Sequence, residues 1–161
     1  MANYPAINTS PLIFLTKGRL LHLLQILSEK FIVPQAVATE IQSYGENDIT
    51  AQALTNTDWL LVKEITSVPA IIQNWDLGPG ETEVLAWGYL NPGTEVILDD
   101  LAARRCAKTL SISVRGTLGL VLIAKQRGAI PAARPVLEQL CLSGMYLSDK
   151  VINQALASIG E

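Results

Sequence analysis

Short runs of apolar residues alternate with longer amphipathic segments along this chain, and this pattern is typical of strands and helices that follow one another in an α/β protein. The strand pattern is clearest at residues 95–98, which are followed by the adjacent carboxylates Asp99 and Asp100 and then by helix-forming residues. A buried strand of this kind carries its last residues to the carboxyl edge of a parallel sheet, where open α/β sheets bind their ligands. The two carboxylates are therefore expected either to bind a cation or to cap a helix.

The same pattern predicts the other elements of the fold. The predicted strands cover residues 4–8, 31–34, 59–65, 95–98 and 112–114. The predicted helices cover residues 11–18, 20–28, 35–43, 49–54, 76–91, 101–110, 117–125, 132–142 and 148–158, while residues 68–75 fit either a short helix or an ordered loop. We expect an α/β protein, a three-layer α/β/α sandwich around a parallel sheet of about five strands. Residues 1–161 form a single domain in this prediction, with C-terminal helices from about residue 132.

Ser10 and Pro11 predict where the first helix begins. Serine is a good N-cap, because its hydroxyl accepts a hydrogen bond from a free backbone N–H, and proline is favoured at the first helical position. We therefore expect Ser10 to be the N-cap of this helix.

Composition limits the class of protein. Hydrophobic residues make up 49% of the 161 residues and charged residues only 17%, which argues against a disordered chain. No apolar run approaches the roughly 18 residues that a membrane span needs, and the N-terminus lacks the pattern of a signal peptide. We expect a cytoplasmic protein that has no membrane partner.

The cysteine and histidine content excludes several kinds of chemistry. The chain has the two separated cysteines Cys106 and Cys141 and the single histidine His22, so zinc sites and Ser-His-Asp or Cys-His catalysis are not expected. It also lacks the glycine-rich signatures of nucleotide-cofactor sites. Any chemistry must rest on carboxylates, hydroxyls, amides and basic groups.

Charge is distributed unevenly along the chain. The net charge is −3, yet no acidic residue lies between Asp100 and Glu138, a segment that contains most of the basic residues. An acidic centre beside a basic rim suits a phosphate-backbone ligand that is bridged by metal ions. A solvated basic helix face is the alternative interpretation.

Oxygen-bearing side chains are expected at one edge of the sheet. Asn8 ends the first predicted strand, Glu81 lies in the first turn of a helix, and Asp99 ends the fourth strand, so these three are expected to meet there. Glu40 lies on the helix after the second strand. Oxygen-only ligands suit Mg²⁺ or Mn²⁺, and these ions activate water for attack on a phosphodiester.

Five short motifs in this order resemble a known family. They are Asn8-Thr9-Ser10-Pro11-Leu12-Ile13, Pro34-x-x-Val37-x-x-Glu40, Gly78-x-Gly80-Glu81-x-Glu83, Leu98-Asp99-Asp100-x-Ala102-x-Arg104 and Gly116-Thr117-Leu118-Gly119. Together they resemble the PIN-domain superfamily, and more narrowly the small prokaryotic PIN-like proteins of the DUF3368 type, often proposed as toxins of toxin–antitoxin pairs. The similarity extends from about Ile7 to about Leu142.

The resemblance implies a metal-dependent endoribonuclease with Mg²⁺ or Mn²⁺ as cofactor. The metal-binding positions that it implies are Asn8, Glu40, Glu81 and Asp99, of which the three acids are catalytic, and Thr9 or Ser10 supports the first of them. Asp100 is either a further ligand or the N-cap of its helix, and the cap is favoured.

Glu81 is preferred over Glu83 as the ligand. The two lie about 200° apart around a helix of 3.6 residues per turn, so both cannot easily face one metal ion.

Asn8 departs from the family pattern, which usually has aspartate at the end of the first strand. Asparagine offers a neutral oxygen, so the site loses one negative charge and is expected to bind a divalent ion more weakly. Two alternatives follow: a ribonuclease with weaker metal binding, or an inactive PIN-like module that binds RNA or an antitoxin. A third alternative is a small-molecule phosphotransferase or phosphatase. It is less favoured, because such an enzyme needs an acidic nucleophile at the end of the first strand and this chain has Asn8 there.

The predicted partners are RNA and a small antitoxin protein. The residues expected to contact RNA are Arg104, Arg105, Arg115 and Lys125. A mean hydropathy of +0.29 together with several apolar helices predicts a homodimer that buries a helix face.

Overall fold

Five parallel strands form the centre of the fold in the computed structural model, which describes residues 3–161. The strands are β1 (Ala6–Ile7), β2 (Phe31–Pro34), β3 (Leu60–Lys63), β4 (Glu95–Ile97) and β5 (Ser113–Arg115). Their order across the sheet is β3-β2-β1-β4-β5, and every neighbouring pair is parallel. With helices flanking the sheet, the predicted α/β fold is confirmed.

The strand order creates a crevice beside β1. The chain adds β2 and β3 on one side of β1 and β4 and β5 on the other, so the direction of winding reverses between β1 and β4. The register across this pair matches Ala6 to Val96 and Ile7 to Ile97. Ligands of open α/β sheets bind outside the carboxyl ends of the strands at such a reversal.

Nine α-helices and one short 3₁₀ helix are assigned within residues 3–161. The α-helices are α1 (Thr9–Lys17), α2 (Gln35–Gln42), α3 (Ile49–Asn56), α4 (Ala70–Gln73), α5 (Pro79–Leu90), α6 (Leu101–Thr109), α7 (Thr117–Gln126), α8 (Ala133–Leu142) and α9 (Asp149–Ser158). The 3₁₀ helix spans Leu21–Ile26, within the helix predicted over residues 20–28, and α4 lies in the segment that the sequence left open. Within the described part of the chain, no helix combines the length and the hydropathy that a bilayer crossing requires.

The central strands β1, β2 and β4 lie in the hydrophobic core, while the edge strands β3 and β5 are partly exposed. Phe31, Val33, Val96 and Ile97 have no exposed surface, because helices cover both faces of a parallel sheet. This burial explains why the strands read as continuous apolar runs in the sequence.

The first helix begins earlier than the sequence predicts. Asn8, in an extended conformation, is the N-cap of α1, so the prediction that Ser10 caps this helix is wrong. β1 ends at Ile7, and the chain turns into the helix at once. Pro11 is tolerated in the first turn because the backbone N–H groups there have no intrahelical partner, so the N–H that proline lacks is not missed.

Helix α5 packs closely on the sheet at Gly88. A Cβ atom at this position would lie 2.7 Å from Ile112 Cγ2 and 2.8 Å from Val96 Cγ1, both on buried residues. We expect Gly88→Ala to lower the free energy of unfolding by about 1–3 kcal/mol, because overpacking forces the core to shift. Thermal and urea denaturation measure this change. An unchanged stability would show that α5 can move away from the sheet at no cost.

Glu161 ties the C-terminal helices to the rest of the fold. Its Oε2 accepts a hydrogen bond of 2.7 Å from the Ala133 backbone N–H at the start of α8 and lies 3.5 Å from Lys125 Nζ of α7. The hydrogen bond from Ala133 and the nearby Lys125 lower the pKa of the Glu161 carboxyl below its ordinary value of 4.5.

The lowered pKa of Glu161 predicts a pH-dependent contribution to stability. Since the folded-state pKa is depressed, the contribution is present above about pH 4.5 and is lost as the pH falls through the folded-state pKa. We expect Glu161→Gln to lower the melting temperature at pH 7, and the difference from the unmodified protein to shrink in acid. Glu138→Gln, at an exposed position of α8, is the matched control. A difference that stays constant with pH would contradict this account.

Candidate active site

Three neighbouring strands deliver polar residues to the crevice beside β1. Asn8 follows β1, Asp99 follows Leu98 beyond the end of β4, and Thr117 opens α7 after β5. Backbone hydrogen bonds continue past the strand ends, from Asn8 N to Ile97 O (3.1 Å) and from Leu98 N to the carbonyl at the end of β5 (3.0 Å). The backbone of these loops is therefore held in place by the sheet itself.

Asp99 is oriented by Thr117. The Thr117 backbone N–H donates to Asp99 Oδ1 at 2.7 Å, and the Thr117 hydroxyl donates to Asp99 Oδ2 at 2.6 Å. Thr117 is fully buried, and the carboxylate lies at the N-terminus of α7, where the helix dipole favours negative charge. Sequence reasoning assigned no role to Thr117; the Gly-Thr pair directly after a strand was the signal that could have found it.

The neighbouring carboxylate, Asp100, has a different structural role. Asp100 is the N-cap of α6, and its Oδ2 accepts a hydrogen bond of 2.9 Å from the Ala103 backbone N–H. The prediction that Asp100 caps its helix is confirmed. Adjacent carboxylates thus serve two helices, Asp99 at α7 and Asp100 at α6.

Glu81 and Glu83 also have different environments, although both lie on α5. Glu81 lines the cleft that also contains Asp99. Glu83 Oε1 accepts a hydrogen bond of 3.0 Å from the Ala36 backbone N–H, in the first turn of α2. The angular argument from the sequence therefore agrees with the structure, since the two acids of α5 face different neighbours.

Two glycines at the start of α5 leave room for oxygen atoms. A Cβ atom at Gly80 would lie 2.9 Å from Asn8 Oδ1, and a Cβ atom at Gly78 would lie 2.7 Å from Glu81 Oε2. These distances are shorter than ordinary carbon–oxygen contacts. The glycines of this motif therefore allow the Asn8 amide and the Glu81 carboxylate to lie against the backbone of the helix terminus.

A third glycine does the same for Asp99. A Cβ atom at Gly116 would lie 3.0 Å from Asp99 Oδ1 and would collide with Arg104 Nη1. Arg104 Nη1 also donates to the Leu98 carbonyl at 3.3 Å. The guanidinium group of Arg104 therefore lies close to the carboxylate, over the turn that leads into α7.

The Thr9 hydroxyl lies beside this region without a hydrogen-bond partner. Thr9 is 3% exposed, and its Oγ1 has no partner among the described residues. The same oxygen lies 3.8 Å from the Cβ position of Gly80, next to the Asn8 amide. Since buried polar groups are nearly always hydrogen-bonded, the Thr9 hydroxyl is an unused hydrogen-bonding group beside the Asn8 amide.

The structure brings together only part of the predicted set. Glu81, Asp99, Asp100, Arg104 and Arg115 line one cleft of about 680 Å³. Asn8 is outside this lining and is buried, with 3% of its surface exposed. The other predicted residues, Glu40, Arg105 and Lys125, are outside the lining of this cleft, and Glu40 is exposed on α2.

Two of the four predicted RNA-contacting residues are engaged in ion pairs. Arg115 Nε lies 2.9 Å from Glu95 Oε1, and Lys125 pairs with Glu161. Their charge is partly compensated within the protein. Arg104 in the cleft and exposed Arg105 on α6 form no ion pair within residues 3–161.

The donor set fits a hard cation in chemistry but is short of carboxylates. Within residues 3–161, no three Asp, Glu, His or Cys side chains are grouped so that they could hold a metal ion. The cleft offers the carboxylates of Glu81 and Asp99, while the Asn8 amide and the unpaired Thr9 hydroxyl lie outside its lining, near the Cβ position of Gly80. Mg²⁺ and Mn²⁺ bind oxygen donors of these kinds. Asn8 supplies a neutral amide at the position where a third carboxylate would add a negative charge.

Comparison with known families finds one that matches the sequence of this chain. A family model named DUF3368 and described as a PIN domain matches residues 5–161. The match includes every residue of the cleft. No curated protein matches the sequence.

Proposed function

Since this chain belongs to the DUF3368 family of PIN domains, we propose that it is a metal-dependent endoribonuclease that hydrolyses phosphodiester bonds in RNA, in the manner of a toxin component. Membership of the family indicates a nuclease-type function in general. The observation that carries the finer proposal is the carboxylate of Asp99, held by two hydrogen bonds from Thr117 in the cleft that also contains Glu81.

Asp99, Glu81 and Asn8 are the proposed ligands of a Mg²⁺ or Mn²⁺ ion, and the unpaired Thr9 hydroxyl lies near the Asn8 amide. A bound ion of this type supplies an activated water and neutralises charge that develops on the phosphate. Its affinity is expected to be modest, because the amide of Asn8 contributes no charge.

Glu40 stays in the proposed set for a structural reason. It follows Val37 by one turn on α2, and Val37 Cγ2 lies 3.3 Å from the Cβ position of Gly80, beside the Asn8 amide. The exposed Glu40 carboxylate is therefore proposed to contribute negative charge from outside the cleft, near the Asn8 amide, rather than to line the cleft.

The remaining residues of the cleft position the reacting groups. Thr117 holds both oxygens of Asp99 and so prevents the carboxylate from rotating. Arg104 places a positive charge beside Asp99, where it attracts the phosphate of an approaching strand. Arg105 is proposed to attract the same backbone from its exposed position.

A second function is favoured by Asn8. With an amide in place of a carboxylate and no group of three acids within residues 3–161, the protein is alternatively a catalytically weak module that binds RNA or a small antitoxin. A homodimer is part of both proposals, and light scattering measures it.

Two glutamates of α5 provide the test of the nuclease proposal. Purified protein is incubated with single-stranded and structured RNA in Mn²⁺, in Mg²⁺ and in EDTA. We expect cleavage with either ion and none in EDTA. Glu81→Gln is expected to slow cleavage about 10-fold or more, because the cleft loses a charged ligand.

Glu83→Gln is the matched control, two positions along the same helix. Its amide oxygen can still accept the hydrogen bond from Ala36, so cleavage and stability are expected to stay close to those of the unmodified protein. RNA that remains intact in both metals would contradict the nuclease proposal, and a binding assay with the same RNAs would then test the second function. Equal losses in Glu81→Gln and Glu83→Gln would remove Glu81 from the site.

A further inference from the structure

The cleft has an apolar wall that the proposed chemistry does not use. Beyond its charged residues, the cleft is bounded by side chains from α1, from α7 and from the loop between α8 and α9. These side chains are Phe14, Leu118, Leu122, Met145, Tyr146 and Leu147. The carboxylates of Glu81 and Asp99 and this wall belong to one continuous space of about 680 Å³, a size typical of small-ligand sites.

Tyr146 stands out on this wall because its ring is exposed. It is 87% exposed, whereas the adjacent Met145 is only 9% exposed and anchors the loop. The Met145 backbone N–H donates to the Leu140 carbonyl of α8 at 3.1 Å. A well-anchored loop thus presents an aromatic ring at the edge of the cleft, where it contributes little to the core.

The two ends of the cleft have complementary chemistry. Asp99 and Glu81, with Arg104 beside them, form a charged end suited to a phosphate and its counter-ion. The wall around Tyr146 and Phe14 forms an apolar and aromatic end. A nucleotide is divided in the same way, into a charged phosphate and a flat base with an apolar face. Aromatic side chains bind unpaired bases by stacking on that face.

We propose that the apolar wall is a nucleobase-binding subsite in which the base next to the bound phosphate stacks on Tyr146. The subsite rests on the proposed ribonuclease function for its choice of ligand. It requires an unpaired base, so it selects single-stranded segments over duplexes. It makes Tyr146 a specificity-determining residue, one that contacts the substrate away from the reacting bond.

The test compares RNA strands with and without a base. Fluorescence anisotropy measures the binding of a labelled single-stranded RNA hexamer, and of hexamers in which one nucleotide at a time is abasic. Ca²⁺ is present as a hard cation that accepts oxygen ligands as Mg²⁺ does. The proteins are the unmodified chain, Tyr146→Ala and Tyr146→Phe. Tyr44→Ala, at another exposed tyrosine outside the cleft, is the matched control.

One abasic position is expected to weaken binding to the unmodified protein by about five- to tenfold, at the lower end of the range for base–aromatic stacking. Tyr146→Ala is expected to bind the complete hexamer about five- to tenfold more weakly and to lose the difference between complete and abasic strands. Tyr146→Phe keeps the ring and the difference, and Tyr44→Ala behaves like the unmodified protein. Since Tyr146 is exposed, these variants are expected to fold normally.

Three results would overturn the subsite. They are the absence of measurable binding, binding by the unmodified protein that does not depend on any base, and a base dependence that survives in Tyr146→Ala. A change of Tyr146→Ala from dimer to monomer in light scattering, with the base dependence unchanged, would instead assign the wall to contact between copies of the chain.

The outcome also separates the subsite from the nuclease proposal. Base-dependent binding that requires Tyr146, without cleavage in Mn²⁺, supports the subsite and removes the catalytic function. Cleavage of complete and abasic strands at equal rates, with equal affinity, removes the subsite alone.

Discussion

Asp99→Asn is expected to reduce RNA cleavage at least about 100-fold, because the cleft loses one of the two carboxylates proposed as ligands of a divalent ion. The fold should tolerate the change. The amide oxygen of asparagine can still accept the hydrogen bond from the Thr117 backbone N–H, and the loss of charge at the partly buried N-terminus of α7 costs up to about 2 kcal/mol of stability. Initial cleavage rates in Mn²⁺ measure the first effect, and thermal denaturation measures the second.

Asp100→Asn is the neighbouring control. Asparagine is as good an N-cap as aspartate, so the hydrogen bond to the Ala103 backbone N–H is retained and α6 keeps its stability. We expect this variant to cleave RNA nearly as fast as the unmodified protein. If both substitutions abolished cleavage equally, Asp100 would join the metal ligands. If neither had an effect, the catalytic role proposed for Asp99 would be wrong.

Asn8→Asp is expected to tighten Mn²⁺ binding by about ten- to one-hundredfold, because the proposed ligand set gains a third negative charge. Without metal, the same substitution is expected to lower the melting temperature, since only 3% of residue 8 is exposed and a buried carboxylate is costly. Mn²⁺ should restore the melting temperature. The variant is also expected to cleave RNA faster at low metal concentrations.

Calorimetric titration of Mn²⁺ measures this affinity directly, before any natural substrate is known. Asn153→Asp, at an exposed position of α9, changes the net charge by the same amount outside the cleft and is expected to leave the affinity unchanged. An unchanged affinity in Asn8→Asp, in a protein that already cleaves RNA, would show that the ion binds without residue 8. An unchanged affinity without cleavage would favour the binding-module function.

Much of the fold could be predicted from the sequence, because its signals are local. The apolar run of β2 and the strand that precedes Asp99 are continuous, short and rich in β-branched residues, and a short segment carries this signal by itself. The capping role of Asp100 is a local signal too, since the cap and the N–H that it satisfies are three residues apart. The divergence of Glu81 and Glu83 follows from helical geometry alone.

The features that the sequence could not provide depend on contacts between distant segments. Nothing near Glu83 indicates that it accepts a hydrogen bond from Ala36, and nothing near Arg115 indicates that it pairs with Glu95. Helix α1 begins at Thr9 rather than after Ser10 because the pairing of β1 with its neighbouring strands ends at Ile7, and this pairing is a tertiary contact.

The acids at the carboxyl edge of β4 remain the centre of the candidate site, and each level of description determines a different part of it. The sequence by itself determined that Asp99 and Asp100 end a buried strand at a sheet edge, because the continuous apolar run stops there and polar, helix-forming residues begin. Only the tertiary structure decided that Thr117 holds Asp99 and that Gly116 leaves it room. The physical reason is that side-chain orientation depends on packing against strands and helices that lie far away along the chain.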